Sequence, residues 1–221
     1  MKTKLFLASL LFALTACQPS PKFVNHPQPN LSITFNAIPD AAALGCDEIQ
    51  EPFALLGGLD PSYPIALCII NFNPDQAQPE MEAGEFIYAT GGLFTTYLRY
   101  VILRDGQQVI IKTADEFRNI YVPIDSPDEA LSYTLALRNL GAYYGLAKDP
   151  AYKYEVRKIE DTHVISEADG YRLNLYSHQF FGCGPHWTSL VELLVTFDGT
   201  ITEVSATPVF RDPNMDDLCV D

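Results

Sequence analysis

The sequence predicts an α+β fold: an antiparallel sheet meander with one main amphipathic helix, at about residues 127–140, packed on it, and a β-rich N-terminal half before it. Three observations lead there. Asp105-Gly106, Asp169-Gly170 and Asp198-Gly199 each separate two runs rich in β-branched and aromatic residues. Asp-Gly in that setting is a strong short-range hairpin signal. Val191, Leu193, Val195 and Phe197 fall at every second position, the period of a strand with one buried face. Ser126-Pro127-Asp128-Glu129 opens a helix: Ser126 caps it, Pro127 suits its first position, and Glu129 can reach back to the Ser126 amide. Behind that start, Ala130, Tyr133, Leu137 and Leu140 form an apolar stripe widened by Leu131 and Leu135. Asp128, Ser132 and Asn139 lie opposite, and Gly141 stops the helix. One apolar helix face needs a sheet to lie on.

Composition sets the class. With 221 residues, 48% hydrophobic and 19% charged, the chain is globular and long enough to bury a real core. Its 28 acids against 14 lysines and arginines give a net charge of −14. Such a polyanion is repelled by phosphate backbones, so nucleic acid is excluded as a partner.

The start of the chain carries an address. Lys2 and Lys4 precede an apolar run over residues 5–13, and Leu14-Thr15-Ala16-Cys17 follows. The run is too short to span a bilayer, which takes ~20 residues, and fits a secretory signal. The four residues resemble the lipobox of bacterial lipoproteins. That resemblance implies that residues 1–16 are a signal peptide and that Cys17 carries a diacylglycerol through its soft thiolate sulfur. Several acyl chains hold firmly, because each buried CH₂ contributes ~0.8 kcal/mol. Gln18 stands where Asp retains enterobacterial lipoproteins at the inner membrane, which implies the outer membrane. Cleavage removes Lys2 and Lys4 and no acid, leaving a charge of −16. Residues 17–30, with Pro19, Pro21, Pro27 and Pro29, read as a semi-extended tether. His26 within it reads as solvated.

Two regions follow, 31–112 and 113–221, which can share one domain. In the first, residues 31–35 are a short strand candidate and 41–44 a brief helix ending at Gly45. Residues 51–63 are loop-like around Gly57-Gly58. The unbroken apolar run 65–70 predicts a strand buried on both faces. Residues 71–84, polar with Pro74 and Pro79, read as a surface loop. Strands are predicted at 86–90, 95–103 and 107–111. In the second region, Thr113-Ala114-Asp115-Glu116 is a capping box for a short helix to about Tyr121. After the main helix come strands at 152–159, 162–166, 171–181, 187–197 and 200–210. Pro208 marks an edge or a bulge in the last. This helix-then-sheet order resembles, in shape alone, cystatin-like and PepSY-type modules.

Besides Cys17 there are four cysteines, Cys46, Cys68, Cys183 and Cys219, an even number that predicts two disulfides in an oxidising compartment. Three pairings are possible. Cys46–Cys68 with Cys183–Cys219 is preferred, because each bridge then stays within one half of the chain. The sharpest chemical constellation is His178, Cys183 and His186, whose spacing can gather borderline ligands for zinc or copper or form a Cys/His nucleophile pair. Both roles need Cys183 as a free thiolate, which a disulfide removes. The segment therefore reads first as a structural turn, with His178 and His186 as weak metal candidates. The acidic run 212–217 resembles the opening of an EF-hand loop, but Asp217 replaces its glycine and the terminal glutamate is missing. Trp187 and the tyrosines at 143, 144, 152 and 154 are candidate stacking surfaces.

The function expected is that of a lipid-anchored cell-envelope protein at the outer membrane with a non-enzymatic binding or structural role, no cofactor, and an envelope protein as partner. The alternative is a metal- or small-ligand-binding lipoprotein using His178, Cys183 and His186. An envelope hydrolase comes third, since no Gly-x-Ser-x-Gly elbow, Walker loop or His-Glu-x-x-His helix is present.

Overall fold

In chain order the elements of this computed structural model are β1 (Lys22–Val24), β2 (Glu48–Gln50), β3 (Ile65–Asn71), α1 (Pro79–Glu82), β4 (Tyr88–Thr90), β5 (Thr96–Arg104) and β6 (Gln107–Ile111). Two helices come next, α2 (Ala114–Tyr121) and α3 (Pro127–Leu137). Then follow β7 (Lys153–Tyr154), β8 (Lys158–Glu160), β9 (His163–Glu167), β10 (Gly170–His178), β11 (Gly182–Cys183), β12 (Trp187–Thr196), β13 (Ile201–Arg211) and β14 (Cys219–Val220). The structure describes residues 20–36, 40–52, 55–75 and 77–220. The expected signal peptide and Cys17 lie outside the described residues. No described helix is long and apolar enough to cross a membrane.

The architecture is mostly antiparallel sheet with few helices. Of the two five-stranded sheets, one runs β2-β3-β5-β4 with β6 also paired to β5 and the other runs β7-β13-β12-β10-β9; β1-β8 and β11-β14 form two-stranded sheets beside them. The second five-stranded sheet is the predicted meander, and the turns of the two sheets use Asp-Gly in different ways. Between β5 and β6, Asp105 and Gly106 both take positive φ (54° and 75°), the two-residue turn whose twist matches the strands. Gly170 is already inside β10. A Cβ there would sit 2.1 Å from the Val195 carbonyl oxygen, so glycine is what lets β12 approach. In β12, Val191, Leu193 and Val195 are buried as the alternation requires, while Phe197 lies past the strand end and is exposed. Pro208 sits beside a register shift: Thr188 pairs with Phe210 and Ser189 with Pro208, which leaves Val209 as the bulged residue.

β3 is buried on both faces for a physical reason. Ile65 and Leu67 join the main core, while Cys68 and Ile70 face a second cluster with Cys46, Met81 and Val101. α1, which supplies Met81, stands in the stretch read as loop. Arg99 of β5, 1% exposed, donates to Glu80 Oε2 at 2.9 Å and to the Glu85 carbonyl at 2.6 Å, so a buried guanidinium fastens this short helix to the sheet. The strand candidate at 31–35 reduces to one bridge, Phe35 to Ile65. Within the stretch read as tether, β1 pairs in parallel with β8, and Phe23 sets its ring edge-on to Tyr154 at 5.8 Å.

α3 corrects the amphipathic expectation. It ends at Leu137, and every residue from Glu129 to Leu137 is buried. Ser132, assigned to a polar face, is 0% exposed; its hydroxyl donates to the Leu55 carbonyl and accepts the Gly58 amide. The Tyr133 hydroxyl donates to the Gly199 carbonyl, and the Tyr100 hydroxyl of β5 to the Ala136 carbonyl. Residues of α3, of β3, β5 and β6, and of β10 and β12 belong to one core cluster. A helix covered on all sides needs hydrogen bonds for its polar residues, and these supply them.

The helix start departs in one detail with a measurable consequence. Ser126 Oγ accepts the Glu129 amide, but Glu129 Oε2 accepts the amide of Asp125 at 2.7 Å. Burial raises the Glu129 pKa against that hydrogen bond, and the charges of Asp60 and Asp125 add to the rise. The folded state thus holds this proton more tightly than the unfolded chain. The resulting stability is fully present below the ordinary value of 4.5 and is lost as pH rises through the folded value. Glu129→Gln keeps the acceptor and removes the charge. Thermal melts across a pH series are expected to show the variant above the parent at neutral pH, with the gap closing in acid.

Candidate functional site

The Cys183 turn is structural. Cys46 is bonded to Cys68 and Cys183 to Cys219, with Cα atoms 5.4 and 4.0 Å apart, the pairing preferred from sequence. With its sulfur in a disulfide, Cys183 offers no thiolate, so His178, Cys183 and His186 do not form the metal or nucleophile site. His186 is buried, and both its ring nitrogens lie against carbonyl oxygens: Nδ1 3.0 Å from Gln179 and Nε2 3.1 Å from Leu218. It fastens the C-terminal tail to the strand end. Trp187 lies under the Arg211 guanidinium at 5.0 Å, Tyr152 stacks on Phe210, and Asp212 caps the turn at Pro213–Met215 by accepting the Asn214 amide. These are structural contacts.

His178 faces elsewhere, into a cleft of about 440 Å³. β9 pairs with β10 only as far as His163 and Asn174. Beyond that point Gly141 takes the free edge: its amide donates to the Tyr176 carbonyl at 2.7 Å, and its carbonyl accepts the Tyr176 amide at 2.9 Å. Two residues earlier, Asn139 Nδ2 donates to Thr90 Oγ1 of β4 at 3.4 Å. The chain leaving α3 therefore links the edge strand of one sheet to the free edge of the other, and the cleft opens along this link.

Leu135, Leu140 and Ala142 contribute apolar wall, as do Tyr88, Tyr143 and Tyr176; Gln28, Asn139 and His178 contribute polar groups. Tyr143 and Tyr176 stack at 4.9 Å. The volume falls in the range of small-molecule sites, which are mostly apolar with a few placed polar groups. Comparison with family models, with curated proteins and with solved structures finds no match to this chain.

The electrostatics of the cleft are neutral. Burial raises the pKa of Tyr88, Tyr143 and Tyr176, so all three keep their protons. The Tyr176 hydroxyl donates to the Glu160 carbonyl. His178 is exposed at the end of β10, and the partial desolvation it meets there, then the neighbouring His186, lower its pKa and favour the uncharged imidazole. Its Nδ1 is 3.0 Å from Thr188 Oγ1, which leaves Nε2 for a ligand. Sequence reasoning named His178 and Tyr143 but missed Gln28, Tyr88 and the 139–142 link. No local pattern marks them, because they meet only when the two sheet edges face each other.

A second constellation was also missed. Among the described residues, the side chains grouped so that three could hold a metal ion are His26, Glu160 and His163. His26, read as solvated, is half-buried and stacks on His163 with ring centroids 4.3 Å apart. Lys158, and to a lesser degree His26, holds the Glu160 carboxyl below its ordinary range against the effect of burial.

Proposed function

We propose that this chain is a lipid-anchored envelope protein, held at the outer membrane through Cys17, that binds a small planar, uncharged and partly apolar molecule in the cleft between the two sheets. The cleft lined by Tyr88, Tyr143, Tyr176 and His178 carries this reading. Its polar groups are neutral donors and acceptors set in an apolar wall, which suits orienting a ligand and disfavours an ion. The lipobox-like start supports the anchor. The β1–β8 pairing supports a short reach, because only five steps of chain separate Cys17 from Lys22, ~18 Å at full extension.

The test is a thermal-shift screen of planar aromatic and amphiphilic compounds on the mature chain. A ligand at a hundred times its Kd is expected to stabilise the fold by about 2.7 kcal/mol. Leu140→Trp, which fills the cleft, should abolish that shift while leaving the melting point of the free protein in place. A screen without hits, or hits indifferent to Leu140→Trp, overturns the ligand reading. An N-terminal peptide of the native product carrying unmodified Cys17 overturns the anchor.

A further inference from the structure

We propose that His26, Glu160 and His163 form a binding site for one divalent transition-metal ion of the zinc type, which clamps the N-terminal segment to the second half of the chain. The site is distinct from the cleft and does not depend on the cleft having a ligand.

The backbone builds it. β1 pairs with β8 so that Val24 stands opposite Glu160, and the Asp161 amide donates to the Val24 carbonyl at 2.9 Å. Asp161, 1% exposed, then receives the His26 amide at 3.1 Å, the Gly145 amide at 2.8 Å and the Leu146 amide at 3.0 Å. Its carboxylate is thereby occupied with backbone donors. It acts as a positioning residue that sets His26 beside β8, and it is not a ligand.

The donor set follows. His26 Nε2 lies 3.4 Å from Glu160 Oε2, and His163 Nδ1 lies 3.9 Å from the same oxygen. One ligand atom can be chosen from each residue so that all three lie within 4.8 Å of one another. A tetrahedral ion with bonds of 2.0–2.1 Å spaces its ligands about 3.4 Å apart. The first pair is thus already at ligand spacing. The rings are stacked at 25° from parallel and their lone pairs lie in the ring planes, so an ion is bound only after the rings turn out of the stack. His163 Nδ1 lies 3.0 Å from the Asp161 carbonyl. Ligation through Nδ1, the nitrogen measured against Glu160 Oε2, replaces that contact and leaves the ring proton on Nε2. Lys158 takes the other oxygen of Glu160, which aims Oε2 at the imidazoles. Its ammonium also opposes a cation, so the site needs the strong imidazole bonds of a transition metal.

Two imidazoles and one carboxylate suit zinc, cobalt, nickel or copper, and not calcium or magnesium, which take oxygen ligands. A hollow of about 250 Å³, lined in part by His26, His163, Asp128 and Tyr144, leaves a fourth position for solvent or a small anion. The ligands come from both sides of the β1–β8 pair, so an ion there closes the N-terminal segment onto the domain.

The experiment uses the mature chain with disulfides intact, stripped with a chelator and titrated with Zn²⁺ by calorimetry. Visible absorption of Co²⁺ reads the coordination geometry. One equivalent is expected, with a tetrahedral cobalt spectrum and slower proteolysis of residues 20–30. His26→Gln, Glu160→Gln and His163→Gln should each weaken binding roughly tenfold or more, whereas His178→Gln should not. Circular dichroism checks that each variant stays folded. A lack of stoichiometric binding, binding unchanged in His26→Gln, or equal competition by Ca²⁺ overturns the proposal and leaves the two rings as a plain aromatic stack.

Discussion

Gly58→Ala is expected to cost roughly 3 kcal/mol or more of folding stability, the upper range for a single substitution. A Cβ at Gly58 would stand 2.3 Å from the carbonyl oxygen of Asp128 and 2.8 Å from Ser132 Oγ. The first is helix backbone, which cannot swing aside as a long side chain does. The second is the hydroxyl that takes the Gly58 amide and holds the Leu55 carbonyl. Relief of the clash therefore moves the first turn of α3 or lifts the loop that seats Leu56 and Leu59 in the core. Gly106→Ala is the control. It has positive φ, but a Cβ there would meet nothing within 4 Å, so only backbone strain of about 1 kcal/mol applies. Urea unfolding of both variants checks the contrast; equal losses would show that α3 is not seated against this loop.

The second large effect concerns the disulfides, where loop length and location disagree. The bridges close separations of 22 and 36 residues. On chain entropy alone they contribute about 3.4 and 3.8 kcal/mol, the longer loop slightly more. Location reverses the order. Cys46 and Cys68 are buried in the cluster with Ile70, Met81 and Val101, so their bridge opens only with the sheet. Cys183 and Cys219 are exposed and join two short strands that hold the tail. Without that bridge, the tail can detach while the meander stays folded, a local opening and not a global one. Cys46→Ala with Cys68→Ala is expected to lower stability by about 3–4 kcal/mol. Cys183→Ala with Cys219→Ala should lower it by less than about 2 kcal/mol and make residues 212–220 protease-sensitive. Urea unfolding together with limited proteolysis decides; a larger global loss from the second pair refutes the local account.

Much of the fold was legible because its signals are local. β6 has the predicted bounds, and the predicted α2 holds, with Thr113 Oγ1 accepting the Glu116 amide and Glu116 reaching back to the Thr113 amide. The meander strands β10, β12 and β13 were placed by turn chemistry and period-two alternation, which depend on neighbours a few residues away. α1 was not legible: four residues in a polar stretch are a helix because Arg99, nineteen positions on, lies buried and draws Glu80 to it. α3 was half legible. Its start is a matter of capping, but its far face is buried because a loop of the N-terminal region lies across it, as Ser132 shows.

The same division runs through function. The sequence by itself determined the lipobox-like start, the acidic charge, the strand and turn pattern and the even cysteine count, since each is a property of adjacent residues or of totals. Only the tertiary structure decided that Cys183 is spent on Cys219, that His178 turns toward a cleft at two sheet edges, and that His26 stacks on His163. Those meetings join positions as far apart as 26 and 163 through a parallel strand pair, and pairing over such a distance depends on which edges remain free once both sheets have formed.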